Sequence, residues 1–334
     1  MPANKDRIES ERLNTKRKFA NTLRNISIPL MQLENMLQDE ILSDIEAIVK
    51  NGKLYQGKNF NLRLQAIDFV EFHVIDRINV FMESADPFDQ MNFLKEYAEK
   101  VKRNLQDVDT RMFHQLRTKI SQDDHKGKLL MEMIDEHFDY NLSAFQQEAT
   151  GYDNLDMFLN GLLTNQHPPV ETKDREPEMV YYQKTPARII LELIKRAEFK
   201  PDDVFFDLGS GLGHVAMMVN LLTSVISKGV EFEPAFCGYA KACAADLNLS
   251  HVNFINMDAR YADYSSGTVF FMYTPFEGKM LQDTLQNLSR EAKKRKIKIF
   301  TYGPCTPEVA KQNWLIRGRE IQNCTGEFGE FFNI

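Results

Sequence analysis

From Val204 onward the chain alternates short apolar runs with stretches of helical periodicity. That pattern fits a parallel sheet covered by helices. Strands are expected at 204–208, 225–232, 252–257, 268–273 and 297–302, and helices at 186–197, 214–222, 234–247 and 279–294. Two last strand runs, 314–321 and 327–333, lie too close together for a helical crossover, so they should form an antiparallel hairpin. The spacing predicts an α/β domain with seven strands in a mixed sheet.

The first half has a different grammar. Over 14–50, 61–84, 87–107 and 126–145 apolar residues recur every three to four positions, and glycine is scarce. Leu30, Leu33, Met36, Leu37, Ile41 and Ile45 trace one stripe, and Phe69, Phe72, Val74, Ile75, Val80 and Phe81 a second. Residues 1–164 read as an all-α domain. The stripe of its long first helix suits an intramolecular bundle and a homodimer equally. Paired prolines and a charge run, "NQHPPVETKDREPE", then break both periodicities. This marks 165–180 as a linker beside any active site and 181–334 as the α/β domain.

Composition removes several functions. The 334 residues carry a formal net charge of −7, with no basic excess in either half, which argues against a nucleic-acid partner. No run approaches the roughly 18 apolar residues of a membrane span, and a cytoplasmic protein is expected. Cys237, Cys243, Cys305 and Cys324 lack CxxC spacing, so they suggest neither a zinc site nor a disulfide framework. No metal is expected.

The most specific stretch is "VFFDLGSGLGHVAMM", at the first strand-to-helix turn. In open α/β sheets ligands sit beyond the carboxyl ends of the strands, and this turn is the usual cradle. A dinucleotide loop has glycines at relative positions 0, 2 and 5. Here Gly209, Gly211 and Gly213 fall at 0, 2 and 4, with His214 in the place of the third. Asp207, two residues before the first glycine, suits a ligand ammonium better than a phosphate. Glu231 near the end of the second strand can accept from a ribose diol, and Asp258 at the end of the third from an adenine amine.

Together "DLGSGLG", "GVEFEP" and "NMDAR" resemble motifs I, II and III of the class I S-adenosylmethionine-dependent methyltransferases. The resemblance spans about 181–334 and implies a Rossmann-like sheet that ends in an antiparallel hairpin, with S-adenosyl-L-methionine as cofactor. By the family's pattern Asp207 and the turn of Gly209, Ser210, Gly211 and Gly213 hold the methionine end. Glu231, with Phe232 beside it, takes the ribose, and Asp258 with the Ala259 amide takes the adenine. Glu233 competes for the ribose role, but the family acid stands three residues before the proline, here Pro234.

Upstream, "VYYQKTPARIILELIKRAEFKPDDVFFDLGSGLGHV" is similar to the segment before motif I in the non-SET histone-lysine methyltransferases and their prokaryotic relatives. Tyr182 and Thr185 match the Tyr-x-x-Thr that folds over the cofactor there. Thr185 is also placed to cap the helix entered through Pro186. Where that family has asparagines at the fourth strand's end, this chain reads "FFMYTPFEG". Tyr273, Thr274 and Phe276 are the candidate catalytic residues, lying beside the expected methyl position. The resemblance implies a protein side chain, lysine first, as acceptor. A small-molecule acceptor and a cofactor-binding module without catalysis are the alternatives. Three further features read as structural: "KKRKIK" as cations on helix-end carbonyls, His214 as packing in the first helical turn, and Cys305 as a buried inert thiol.

Overall fold

The alternating second half folds, in this computed structural model, into one seven-stranded sheet of order β3-β2-β1-β4-β5-β7-β6. Its strands are β1 (Val204–Leu208), β2 (Ile226–Glu231), β3 (Val252–Asn256), β4 (Val269–Met272), β5 (Lys298–Tyr302), β6 (Leu315–Arg317) and β7 (Phe328–Asn333). The first five pair in parallel, and β7 runs antiparallel between β5 and β6. The expected hairpin is thus present, and the order reverses between β1 and β4, where such sheets bind ligands. The structure describes residues 30–84, 89–138, 151–164, 167–318 and 328–334. The expectations at 14–29, 87–88, 139–145, 165–166, 319–321 and 327 lie outside them.

The chain divides into two compact units, one over Met1–Gln115 and Asp135–Tyr140, the other over Leu116–Ile134 and Asn141–Ile334. In the first, α1 (Leu30–Lys50) is followed by α2 (Phe60–Phe69), a π-helical turn (Val70–Ile75) and α3 (Asp76–Ser84). Leu37, Ile41 and Ile45 pack with Val70, Val74, Ile78 and Phe81 in its core. The π turn adds a residue to the helical repeat and rotates the inward face. Phe69 is therefore exposed, and Met36 on α1 also faces outward. Arg63 is fully buried, donating to Asp109 Oδ1 at 2.6 Å and to the Leu54 and Gln56 carbonyls. The third expected helix is longer than its reading: α4 runs Asp89–Gln122, because Val108, Met112, Leu116 and Ile120 extend the buried stripe past residue 107. Helix α5 spans Lys126–Phe138.

In the second unit a helix absent from the sequence reading, α6 (Asn154–Leu163), precedes the linker. It starts on a capping box in which Asp153 and Asp156 satisfy one another's backbone N–H groups. Asp156 Oδ1 also accepts the N–H of Ala187 at 2.7 Å, so Asp156, and not Thr185, caps α7 (Ala187–Ala197). Helices α8 (His214–Thr223), α9 (Pro234–Asp246) and α10 (Gly278–Ala292) fall where the periodicity placed them, and a short α11 (Thr306–Ala310) follows β5. Within the basic run Lys298 meets a helix-end carbonyl, that of Ala197 on α7, whereas Lys294 and Arg295 pair with the Glu291 carboxylate instead of the helix-end carbonyls expected of them. Among the described residues no helix is long and apolar enough to cross a membrane.

Gly213 closes the glycine turn at φ 84°, where a Cβ would come within 2.5 Å of the Phe254 ring and 2.8 Å of Ala240. Gly238 in α9 has no neighbour within 4 Å of a Cβ. Gly213→Ala should thus lower stability by about 1–3 kcal/mol, whereas Gly238→Ala should raise it by about 0.5–1 kcal/mol. Thermal unfolding of the two variants checks the contrast; a Gly213→Ala protein as stable as wild type would contradict it.

Candidate active site

Three strand ends and the linker enclose a cleft of about 320 Å³. Of the expected cofactor-site residues, Tyr182, Gly209, Glu231, Phe232, Asp258 and Ala259 line it, as do Tyr273, Thr274 and Phe276. A small polar recess of about 30 Å³ shares Tyr182, Gly209 and Tyr273 as walls and adds Thr185, Asp207 and Ser210. Gly211 lies against the Tyr182 ring: a Cβ there would sit 2.2 Å from Cε2. Gly209 is pressed likewise on Pro275, at 2.3 Å. Both have positive φ, 52° and 77°, which suits glycine. Gly213 lines neither space; it packs α8 onto the sheet.

The carboxylates differ sharply in how they are held. Glu231 accepts the N–H of Gly211 at 2.7 Å and of Glu233 at 2.8 Å, which ties the glycine turn to the end of β2. Burial, with the charge of Glu233, raises its pKa. Glu233 is engaged elsewhere, accepting from the N–H of Ala235, which caps α9, and from the Thr172 hydroxyl and the Lys173 N–H. Asp258 takes the Arg260 guanidinium on both oxygens, at 2.5–3.1 Å, and the Arg260 N–H at 2.8 Å. Burial raises its pKa, but these bonds outweigh burial and hold the carboxyl below its usual range. Asp207 is 3% exposed, and its Oδ2 has no hydrogen-bond partner. Burial, reinforced by the charge of Glu231, pushes its pKa up to about 8.

The loop after β4 completes the wall. Thr274, at φ 38°, donates its hydroxyl to the Tyr302 carbonyl and accepts the Cys305 N–H, both at 3.1 Å. Its polar atom holds the loop shut. Tyr273 stacks at a tilt on Tyr302, 5.2 Å between centroids, and Phe276 is 5% exposed between cleft and core. Cys305 is buried, and burial raises its thiol pKa. Cys237 and Cys243 are likewise buried thiols in no disulfide, while Cys324 lies outside the described residues.

The sequence reading missed the linker's grip on the site. Glu176 pairs with Arg260 at 2.6 Å, and Glu178 accepts the N–H groups of Lys279 and Met280 at the start of α10. Val180 N–H donates to the Pro275 carbonyl, and Lys173 Nζ lies 3.4 Å from the Phe232 ring centroid. Residues 172–180 thus run across the ends of β2, β3 and β4. No local periodicity marks such a segment, because each partner is some 60 to 100 residues away in the chain.

Residues 177–290 match the family model described as "Histone methylation protein DOT1", about a third of the chain. The match spans the glycine turn, all three strand-end carboxylates and the loop after β4. That segment is thus similar to a histone methylation family, and it lies on a seven-stranded sheet that ends in an antiparallel pair. Solved structures similar to it include an RNA methyltransferase from Salinibacter ruber in complex with S-adenosyl-L-homocysteine (20% identity, TM-score 0.38, covering 46% of this chain and 94% of that one). A SAM-dependent methyltransferase from Aquifex aeolicus follows (18% identity, TM-score 0.35, 45% and 94%), as does one from Geobacter sulfurreducens in complex with S-adenosyl-L-homocysteine (22%, 0.30, 37% and 53%). No curated protein matches the chain. S-adenosyl-L-methionine is the cofactor that this similarity implies, and the residues present fit it. Asp207, whose Oδ2 is buried without a hydrogen-bond partner, lines the recess, and Gly209 beside it leaves the backbone open to a ligand.

Asp207 carries a pH signature. Its folded-state pKa is raised well above the unfolded value of about 3.9, so the folded protein holds a proton that the unfolded chain has released. Its contribution to stability is therefore complete below about pH 4 and is lost as pH rises toward 8. Asp207→Asn should flatten that decline, making the ligand-free variant more stable than wild type at pH 8, while weakening S-adenosylhomocysteine binding about tenfold to a hundredfold. Melting temperatures from pH 4 to 9 and calorimetric titration check both halves; parallel melting profiles would contradict the assignment.

Proposed function

We propose that the protein transfers the methyl group of S-adenosyl-L-methionine to a nitrogen of a protein side chain, lysine first. The observation that carries the reading is the Tyr182 ring seated on Gly211, within the segment matched to a histone methylation family. In this reading residues 181–334 are the catalytic domain, 165–180 the linker over its site, and 1–164 a helical region available to a macromolecular partner. The bound cofactor supplies a methyl group already activated by a sulfonium, so what remains for the protein is to align the acceptor and exclude water.

The named residues divide this labour. Asp207, with the Gly209–Ser210–Gly211 backbone and Thr185 nearby, holds the methionine end, and Gly213 fixes the turn from behind. Glu231 takes the ribose hydroxyls with Phe232 beside it; this is favoured over Glu233, which is 6% exposed and already accepts from three donors of the α9 cap and the linker, against two backbone N–H groups on Glu231. Asp258 shapes the adenine side with the Ala259 amide, its own charge balanced by Arg260. Tyr273 and Phe276 flank the acceptor with ring faces, worth about 0.5–2 kcal/mol toward a cationic centre. Thr274 keeps their loop in place.

Two experiments separate these roles. Glu231→Ala should weaken S-adenosylhomocysteine binding by about 1–3 kcal/mol, and Glu233→Ala should instead lower stability by about 1 kcal/mol with little change in affinity. The reverse pattern would move the ribose role to Glu233. Incubation of the protein and labelled cofactor with a lysate lacking it should place acid-stable label in a protein band, recovered as methyllysine. Label confined to small molecules would overturn the acceptor assignment.

A further inference from the structure

Residues 181–186 lie in no helix or strand, yet two site residues stand on them: Tyr182, whose ring rests on Gly211, and Thr185, which lines the recess. Irregular backbone keeps one conformation only where partners outside it take up its polar groups. Helix α6 supplies those partners.

Three side chains spaced four residues apart, Tyr152, Asp156 and Asn160, reach this segment. The Tyr152 hydroxyl donates to the Lys184 carbonyl, and Asn160 Oδ1 accepts from Lys184 Nζ. Asp156 Oδ1 accepts the N–H of Ala187 at 2.7 Å. Lys184 is thus held at its carbonyl and at its amine, and Ala187 at its N–H, one on either side of Thr185. Asp156 and Asn160 are one helical turn apart and share a face of α6.

The start of α6 is served by other atoms. Asp153 Oδ1 accepts the N–H groups of Leu155 and Asp156 at 2.9 and 3.2 Å, and Asp156 Oδ2 accepts the N–H of Asp153 at 2.8 Å. Asp156 Oδ1 is the oxygen left over, and it goes to α7. Asp156 is 6% exposed, so water does not replace that bond when it is lost. The far end of α6 is pinned as well: Arg117 Nη1 donates to the Gly161 and Thr164 carbonyls at 2.6 and 2.9 Å. A helix fixed at one end grips the segment with side chains that its own fold does not require.

We infer that Asp156 and Asn160 are positioning residues for cofactor binding: through Ala187 and Lys184 they set where Tyr182 and Thr185 stand, and so how tightly the cleft closes on its ligand. The inference rests on the S-adenosyl-L-methionine reading above. Both residues precede 177–290, so the match to the family model does not account for them. The end of the helical first half thereby enters the site without touching the ligand.

Calorimetric titration of the full chain with S-adenosylhomocysteine tests this. Asp156→Ala should bind about tenfold more weakly, and Asp156→Asn, whose amide oxygen can still face the Ala187 N–H, should recover binding to within about threefold of wild type. Asp153→Ala is the control. It removes the cap of the same helix at a comparable cost in stability but has no bond to the segment, so it should bind within about twofold of wild type. Asn160→Leu should weaken binding about threefold to tenfold, which keeps the test open should Asp156→Ala not fold. Hydrogen exchange over 181–187 in the ligand-free proteins gives a second readout, about tenfold faster in Asp156→Ala than in Asp153→Ala. Wild-type affinity in both Asp156→Ala and Asn160→Leu, or equal losses in Asp153→Ala and Asp156→Ala, would overturn the inference. Wild-type protein that binds no S-adenosylhomocysteine would instead sink the cofactor reading beneath it.

Discussion

One hydrogen bond organises the site: the Glu231 carboxylate at the end of β2 accepts the N–H of Gly211, in the turn that leaves β1. It fixes a backbone of positive φ in a place where no side chain fits. Tyr182 then closes over Gly211 and Pro275 over Gly209, so strand ends and loops from three parts of the chain meet on two glycines. A Cβ at either would displace a ring. The cleft exists because that turn is bare and held.

The treatment of charge follows from this geometry. Four carboxylates crowd the carboxyl edge of the sheet, and each meets burial in a different way. Glu233 is answered by N–H groups and a hydroxyl, Asp258 by Arg260, and Glu231 by two backbone amides. Asp207 alone keeps an oxygen with nothing to accept from, and its pKa rises accordingly. A cation arriving beside it would relieve an electrostatic penalty built into the ligand-free fold, which is how stability is traded for affinity at a binding site.

Much of the sheet was legible because its signal is local. Apolar runs bounded by Gly, Asp and Pro gave β1 to β5 to within a residue or so at each end, and the crowding of the last two runs forced the antiparallel pair. The three strand-end acids and the glycine turn were legible for the same reason, since each lies at or just past the end of its strand. What escaped was set by distant partners. The linker looked like a break in pattern, yet Thr172, Glu176 and Glu178 each engage a different strand-end loop or helix start. Asp156 takes the capping role expected of Thr185 from another helix altogether. The capping box at Asp153 was readable and would have revealed α6, whereas the π turn at Val70–Ile75 leaves no comparable mark in the sequence.

The central claim is the identity of the ligand that this edge of the sheet accepts. Equilibrium titration of the intact protein with S-adenosylhomocysteine, and separately with NAD, tests it most directly. Saturable one-to-one binding of the first with no response to the second is the expected result. Tight binding of NAD with no response to S-adenosylhomocysteine would contradict it.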